Sequence, residues 1–238
     1  MGRAPRVDIA DIVYHVINRA NARVQIFDTP DDYILFESIL VEAKEKVDMR
    51  ILAYCIMPNH WHLILQPRSD GDLSRFMQWL TLTHTQRWHV VKETIGAGHL
   101  YQGRYKAFPV QTDEYFLWAC RYVERNALRA KLVKRAEHWR WGSAWRRLNY
   151  KDEEMLDPWP TEQPRDYLEW LNEQDDQEIL ENIRTSVNRG QPFGKPAWVD
   201  NIIKMFGLQS TIALRGRPKK VPDMLCRKPR NSDILVSY

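Results

Sequence analysis

Two apolar arms, Arg50 to Met57 and Trp61 to Gln66, flank the pair Pro58-Asn59. Proline presets its own backbone and asparagine tolerates turn conformations, so this short link between strand-like runs specifies an antiparallel hairpin. A β-sheet therefore becomes the frame around which the remaining elements must arrange. The second arm opens with His60-Trp61-His62. Residues i and i+2 of a strand share a face, so both imidazoles project together while Trp61 points into the opposite layer.

The flanking sequence supplies the other elements. Ile12 to Ile17 is a β-branched stretch that ends in the polar Asn18-Arg19-Ala20-Asn21 and reads as a strand followed by a loop. Thr29-Pro30-Asp31-Asp32 provides a cap and a first-turn proline, after which Tyr33, Phe36, Ile39, Leu40 and Ala43 recur at helical spacing to about Lys46. Asp72-Leu73-Ser74 opens a long helix to about Glu93, Arg104 to Val110 alternates as a strand, and Thr112-Asp113-Glu114 caps a helix to about Ala130. The order strand, helix, strand, strand, helix, strand, helix predicts an α+β fold, a ferredoxin-like antiparallel sheet with helices packed on one face.

Beyond this body the texture changes. Trp139, Trp141 and Trp145 read as a helical or irregular lid segment, Pro158 and Pro160 as a joint, and residues 164–174, 175–189 and 196–206 as short helices. Arg215-Gly216-Arg217-Pro218-Lys219-Lys220 begins a basic, proline-punctuated stretch expected to be flexible. The expected division is a principal domain over 8–150, a helical C-terminal extension over 151–206 and a basic tail over 207–238.

Charge follows the same division. Residues 1–149 carry 22 Lys or Arg against 16 Asp or Glu, residues 150–206 carry 6 against 13, and residues 207–238 carry 7 against 2. A basic body and a basic tail around an acidic segment suit a phosphate-binding module with an appended contact region. Three widely spaced cysteines, Cys55, Cys120 and Cys226, argue against a disulfide framework and a cysteine metal cluster. No apolar run approaches the ~20 residues that span a bilayer, and the polar N-terminus does not resemble a signal peptide. The expected location is the cytoplasm, without membrane contact.

Chemistry links the histidines to a second pattern, Tyr122 with Asn126, one helical turn apart on one face. Two neutral imidazoles and an amide oxygen leave open positions on a divalent ion such as Mg²⁺ or Mn²⁺, suited to polarising a phosphate oxygen. Tyrosine, with an ordinary pKa near ~10, becomes a nucleophile when nearby cations or a metal-oriented phosphodiester favour the phenolate. Arg104, Lys106, Arg121 and Arg125 are candidate cations, the last two expected as solvated charges on other helix faces. Asn18, Arg19, Arg104 and Lys106 in the body, and Arg215, Arg217, Lys219 and Lys220 in the tail, are candidate DNA contacts. The Arg-Gly-Arg-Pro of the tail resembles an AT-hook but is read as a nonspecific phosphate contact. Interleaved aromatic and basic residues suit stacking on unpaired bases.

Several stretches resemble the single-tyrosine HUH transposases: Tyr14-His15-Val16-Ile17-Asn18-Arg19, the run Ala-Tyr-Cys-Ile-Met-Pro-Asn-His-Trp-His-Leu-Ile-Leu from Ala53 to Leu65, Gly98 to Lys106, and Arg121 to Ala130. Within that superfamily the chain is similar to the REP-associated tyrosine transposases, strongly over residues 8 to 150 and loosely over 190 to 220. The resemblance implies that His60, His62 and Asn126 hold the metal and that Tyr122 attacks the scissile phosphate, giving a 5′-phosphotyrosine and a free 3′-hydroxyl. It implies single-stranded DNA with palindromic hairpins as substrate, a bacterial nucleoid-associated setting, and action as a monomer, with a dimer left open. Ala127 departs from the family, where proline commonly follows the asparagine.

Two other readings compete. A non-catalytic DNA-binding protein of bacterial repeat elements would use the histidines structurally and the tail for contact. A metal-dependent amidohydrolase also begins with His-x-His on a strand, but requires a barrel of ~250 residues with ligands from later strands.

Overall fold

The structure is a computed structural model that describes residues 7–150 and 155–213. In chain order it comprises β1 (Val13–Arg19), α1 (Pro30–Lys46), β2 (Met49–Met57), β3 (His60–Pro67), α2 (Asp72–Val91), β4 (Lys106–Val110), α3 (Glu114–Glu124) and α4 (Asn126–Arg129). Then follow α5 (Ser143–Asn149), α6 (Tyr167–Asn172), α7 (Gln177–Arg189), α8 (Pro196–Phe206) and α9 (Gln209–Ile212). The sheet order is β2-β3-β1-β4 with every pair antiparallel, so the α+β ferredoxin-like expectation holds.

Helices cover both faces of this sheet, not one. Tyr14, Val16, Tyr54, Ile56, Trp61, Leu63 and Leu65 pack with Phe36, Ile39 and Leu40 of α1 and Phe76, Met77 and Leu80 of α2. The residues of opposite parity, including Val13, Cys55, Ile64, Phe108 and Val110, pack with Phe116, Ala119, Cys120 and Val123 of α3 and Leu180 and Ile183 of α7. Burial on both sides explains why the strands read as near-continuous apolar runs. It also places Cys55 and Cys120 in the core as free thiols. Cys226 lies outside the described residues.

Both outer strands are flanked by chain that is not itself strand. Along β2, Ile56 N donates to Trp141 O at 2.9 Å, Tyr54 N donates to Ser143 Oγ at 3.0 Å, and Cys55 bridges Gly142. The tryptophan segment expected as a lid thus runs along a sheet border, where Trp141 stacks on Tyr33 with ring centroids 4.6 Å apart. Along β4, Phe193 N donates to Pro109 O and Gln111 N to Phe193 O, each at 2.9 Å. From there α8 continues to the first apolar layer, which receives Val199, Ile202 and Ile203.

The helix expected from residue 114 to about 130 is interrupted. α3 ends at Glu124, Arg125 has φ −83° and ψ 0°, and α4 restarts at Asn126. This break sits between the two residues paired in the sequence, Tyr122 and Asn126.

Candidate active site

His60 and His62 stand at the start of β3 on the face that receives α3, with Trp61 buried in the opposite layer. Each ring is engaged at Nδ1. His60 Nδ1 donates to Asn59 Oδ1 at 2.6 Å, and His62 Nδ1 lies 2.8 Å from Nε2 of His15. Both rings therefore keep Nε2 for a ligand. Burial disfavours the imidazolium: His60, also beside Arg19, is lowered to about 4, and His62 is held well below its ordinary value. Both are neutral at pH 7, the form in which an imidazole ligates metal.

Tyr122 comes from α3 across this face. Its ring centroid lies 5.9 Å from that of His62 and 5.8 Å from that of His15, edge to face in both cases. Arg129 lies over the same ring, its Cζ 4.2 Å from the centroid, and its guanidinium donates to the Tyr122 carbonyl. That carbonyl also accepts from Asn126 Nδ2 at 3.2 Å, and Asn126 Nδ2 reaches Val123 O at 3.1 Å. The broken helix thus uses the amide nitrogen of Asn126 internally and leaves Oδ1 as its donor atom to a ligand. Burial raises the Tyr122 phenol above its ordinary pKa, opposed by Arg129, Arg184 and Arg19.

Two imidazole nitrogens and one amide oxygen are a donor set that fits a divalent cation with positions left open for substrate oxygen. Among the described residues, no group of three or more His, Cys, Asp or Glu side chains is placed to hold a metal.

Asn18, Arg19, Arg104 and Lys106 line one cleft of about 240 Å³, beside Ile17, which pairs with His62 across β1 and β3. Asn18 and Arg104 also line a larger adjoining groove of about 780 Å³ with Tyr101 and Tyr105. Asn18 is buried and accepts the Arg19 N–H at 2.9 Å, so it shapes the cleft floor. Arg215, Arg217, Lys219 and Lys220 lie outside the described residues.

Arg121 and Arg125 are not solvated. Their exposures are 3% and 6%. Arg121 Nε donates to Trp170 O and its guanidinium to Glu173 O, Arg125 donates to Leu171 O, and both pair with Asp175 at 3.1 and 2.9 Å. They cap the carbonyl end of α6, where cations are favoured. Sequence reading had no access to this contact, made across about fifty residues of chain.

His15 and Arg129 were also passed over. His15 sits two positions from the His62 partner Ile17, on the same face, a parity visible only once β1 is known to pair with β3. Arg129 is seven residues from Tyr122, which on a helix is the same face.

This fold is shared by a solved REP-associated tyrosine transposase bound to a REP hairpin. The TM-score is 0.54 with 17% identity, over 66% of this chain and 92% of that one. The sequence profile of the IS200-like transposases matches residues 8–126, from the approach to β1 through Asn126, and the chain belongs to that family. A putative transposase from Deinococcus radiodurans is similar over 56% of this chain and 91% of its own, with 18% identity and a TM-score of 0.37. No curated protein matches the sequence significantly. Among the described residues no helix is long and apolar enough to cross a membrane.

Proposed function

We propose that this transposase is a metal-dependent single-tyrosine nickase and strand transferase of single-stranded DNA carrying palindromic hairpins. The observation that carries the reading is Tyr122 standing 5.9 Å, ring to ring, from His62. In this reading His60, His62 and Asn126 hold Mg²⁺ or Mn²⁺ through two Nε2 atoms and one amide oxygen. The bound cation supplies polarisation of a nonbridging phosphate oxygen. Tyr122 Oη attacks phosphorus, the bond to the 3′-oxygen breaks, and a 5′-phosphotyrosine and a free 3′-hydroxyl result. Attack by another 3′-hydroxyl on that phosphotyrosine reverses the exchange and rejoins DNA without net loss of a phosphodiester.

Arg129, Arg184 and Arg19 favour the phenolate against burial, and substrate phosphate and cation add to them. Asn18, Arg19, Arg104 and Lys106 line the approach and offer phosphate contacts to the strand. A hairpin as the recognised feature is supported by the REP hairpin bound to the relative of shared fold. The protein works as a monomer on nucleoid DNA in the bacterial cytoplasm, with a dimer left open.

The test is incubation with end-labelled single-stranded hairpin DNA and Mn²⁺, followed by denaturing electrophoresis and peptide mapping. A covalent adduct on Tyr122, lost in Tyr122→Phe, is expected. Nicking that survives in Tyr122→Phe would overturn the reading, and a wild-type chain that binds the hairpin but neither nicks it nor forms an adduct would leave a DNA-binding role.

A further inference from the structure

We infer that His15 is a positioning residue that selects which nitrogen of His62 faces the metal. The inference rests on the metal-site reading above and assigns a part to a side chain that reading does not use. His15 is fully buried on β1, with its ring 4.9 Å from Phe108, 5.0 Å from His62 and 5.8 Å from Tyr122. Its neighbours on the sheet on that face are the apolar Val13, Ile64 and Phe108. An apolar side chain would satisfy packing there, yet an imidazole occupies the position with its Nδ1 buried and without a partner. A buried polar atom left unpaired is unfavourable, and its retention calls for a compensating role.

Nε2 of His15, 2.8 Å from Nδ1 of His62, supplies that role. A neutral imidazole carries one proton, and which nitrogen keeps it depends on the hydrogen bond the other makes. For His62 to offer a lone pair at Nε2, its Nδ1 must hold the proton and donate it to an acceptor. His15 Nε2 is that acceptor, and the His15 proton then resides on Nδ1, the atom without a partner. His15 is itself no ligand, because Nε2 is engaged and Nδ1 is enclosed. His60 receives the same service from Asn59 Oδ1 at 2.6 Å, so both candidate ligands are fixed from behind at Nδ1.

The test compares the wild-type chain with His15→Phe, which keeps a flat ring without an acceptor, and His15→Gln, whose amide oxygen accepts. Mn²⁺ binding is measured by electron paramagnetic resonance without DNA, and thermal melts verify folding. His15→Phe should weaken Mn²⁺ binding about 10- to 100-fold, the usual effect of losing such a partner, while His15→Gln stays within a few-fold of wild type. Imidazole ¹⁵N shifts of the metal-free wild type should show His62 protonated at Nδ1. That reading needs no variant to fold. Wild-type affinity in folded His15→Phe, equal loss in both variants, or His62 protonated at Nε2 would overturn the proposal. Mn²⁺ binding that survives His60→Ala with His62→Ala would instead bring down the metal site itself, and this inference with it.

Discussion

Arg129 holds Tyr122 at two points at once: its guanidinium lies 4.2 Å over the ring while also donating to the carbonyl of the same residue. The proposed nucleophile is thereby fixed at both ring and backbone. Arg129→Leu removes both holds and the nearest cation. Adduct formation in single turnover should slow by at least about tenfold, and stability should fall by about 1–2 kcal/mol. Arg129→Lys keeps charge without the planar fork and should recover only part of the rate. An unchanged rate in Arg129→Leu would show that the contact is packing alone.

Asp175 is the counter-charge for Arg121 and Arg125, whose side chains are only 4% and 7% exposed. Removing one partner of a buried pair strands the other, so Asp175→Asn should cost about 3 kcal/mol. For a chain of this size that is a fall in melting temperature of roughly 6–12 °C, readable by calorimetry. A melting point within about 2 °C of wild type would mean that the α6 carbonyls suffice for both arginines.

His84 is fully enclosed against Phe27 and Phe36, and burial lowers its pKa to about 3. The folded state therefore keeps it neutral, whereas the unfolded chain protonates it below about 6.5. The unfolded state binds more protons in that window, so this contribution to stability is whole above pH 6.5 and is lost as pH falls toward 3. His84→Gln should lie below wild type at pH 7, and the gap should narrow by about 2 kcal/mol at pH 5 in urea titrations. A gap that does not change with pH would refute the assignment.

Gly194 has no room for a side chain. A Cβ there would meet Trp198 Cε3 at 2.5 Å and Gln111 Oε1 at 2.7 Å, and that oxygen accepts the Lys195 N–H at 2.8 Å. Gly194→Ala should destabilise by about 1–3 kcal/mol through overpacking and raise hydrogen exchange at the Gln111 and Phe193 amides. Exchange rates equal to wild type would show that the segment yields without loosening.

What the sequence disclosed divides by range. The hairpin and the α1 helix were legible because Pro58-Asn59 and Thr29-Pro30 act within a few residues, and the shared face of His60 and His62 follows from strand parity. The break at Arg125 was not legible, since Arg121 to Ala130 keeps helical spacing and the interruption is marked by side-chain bonds to the Tyr122 carbonyl. The burial of Arg121 and Arg125 depends on where α6 ends in space. His15 carried a recognisable side chain, but its meaning required the β1–β3 register.

The two borders of the sheet have a consequence for association. Residues 141–143 occupy backbone groups along β2, and Phe193 occupies those at the end of β4. An uncovered strand invites any other strand to join it, whether from a second copy or from an unfolding neighbour. At these positions the chain's own segments sit where a newcomer's backbone would hydrogen-bond. A second molecule adding at those positions must first peel one of these segments away.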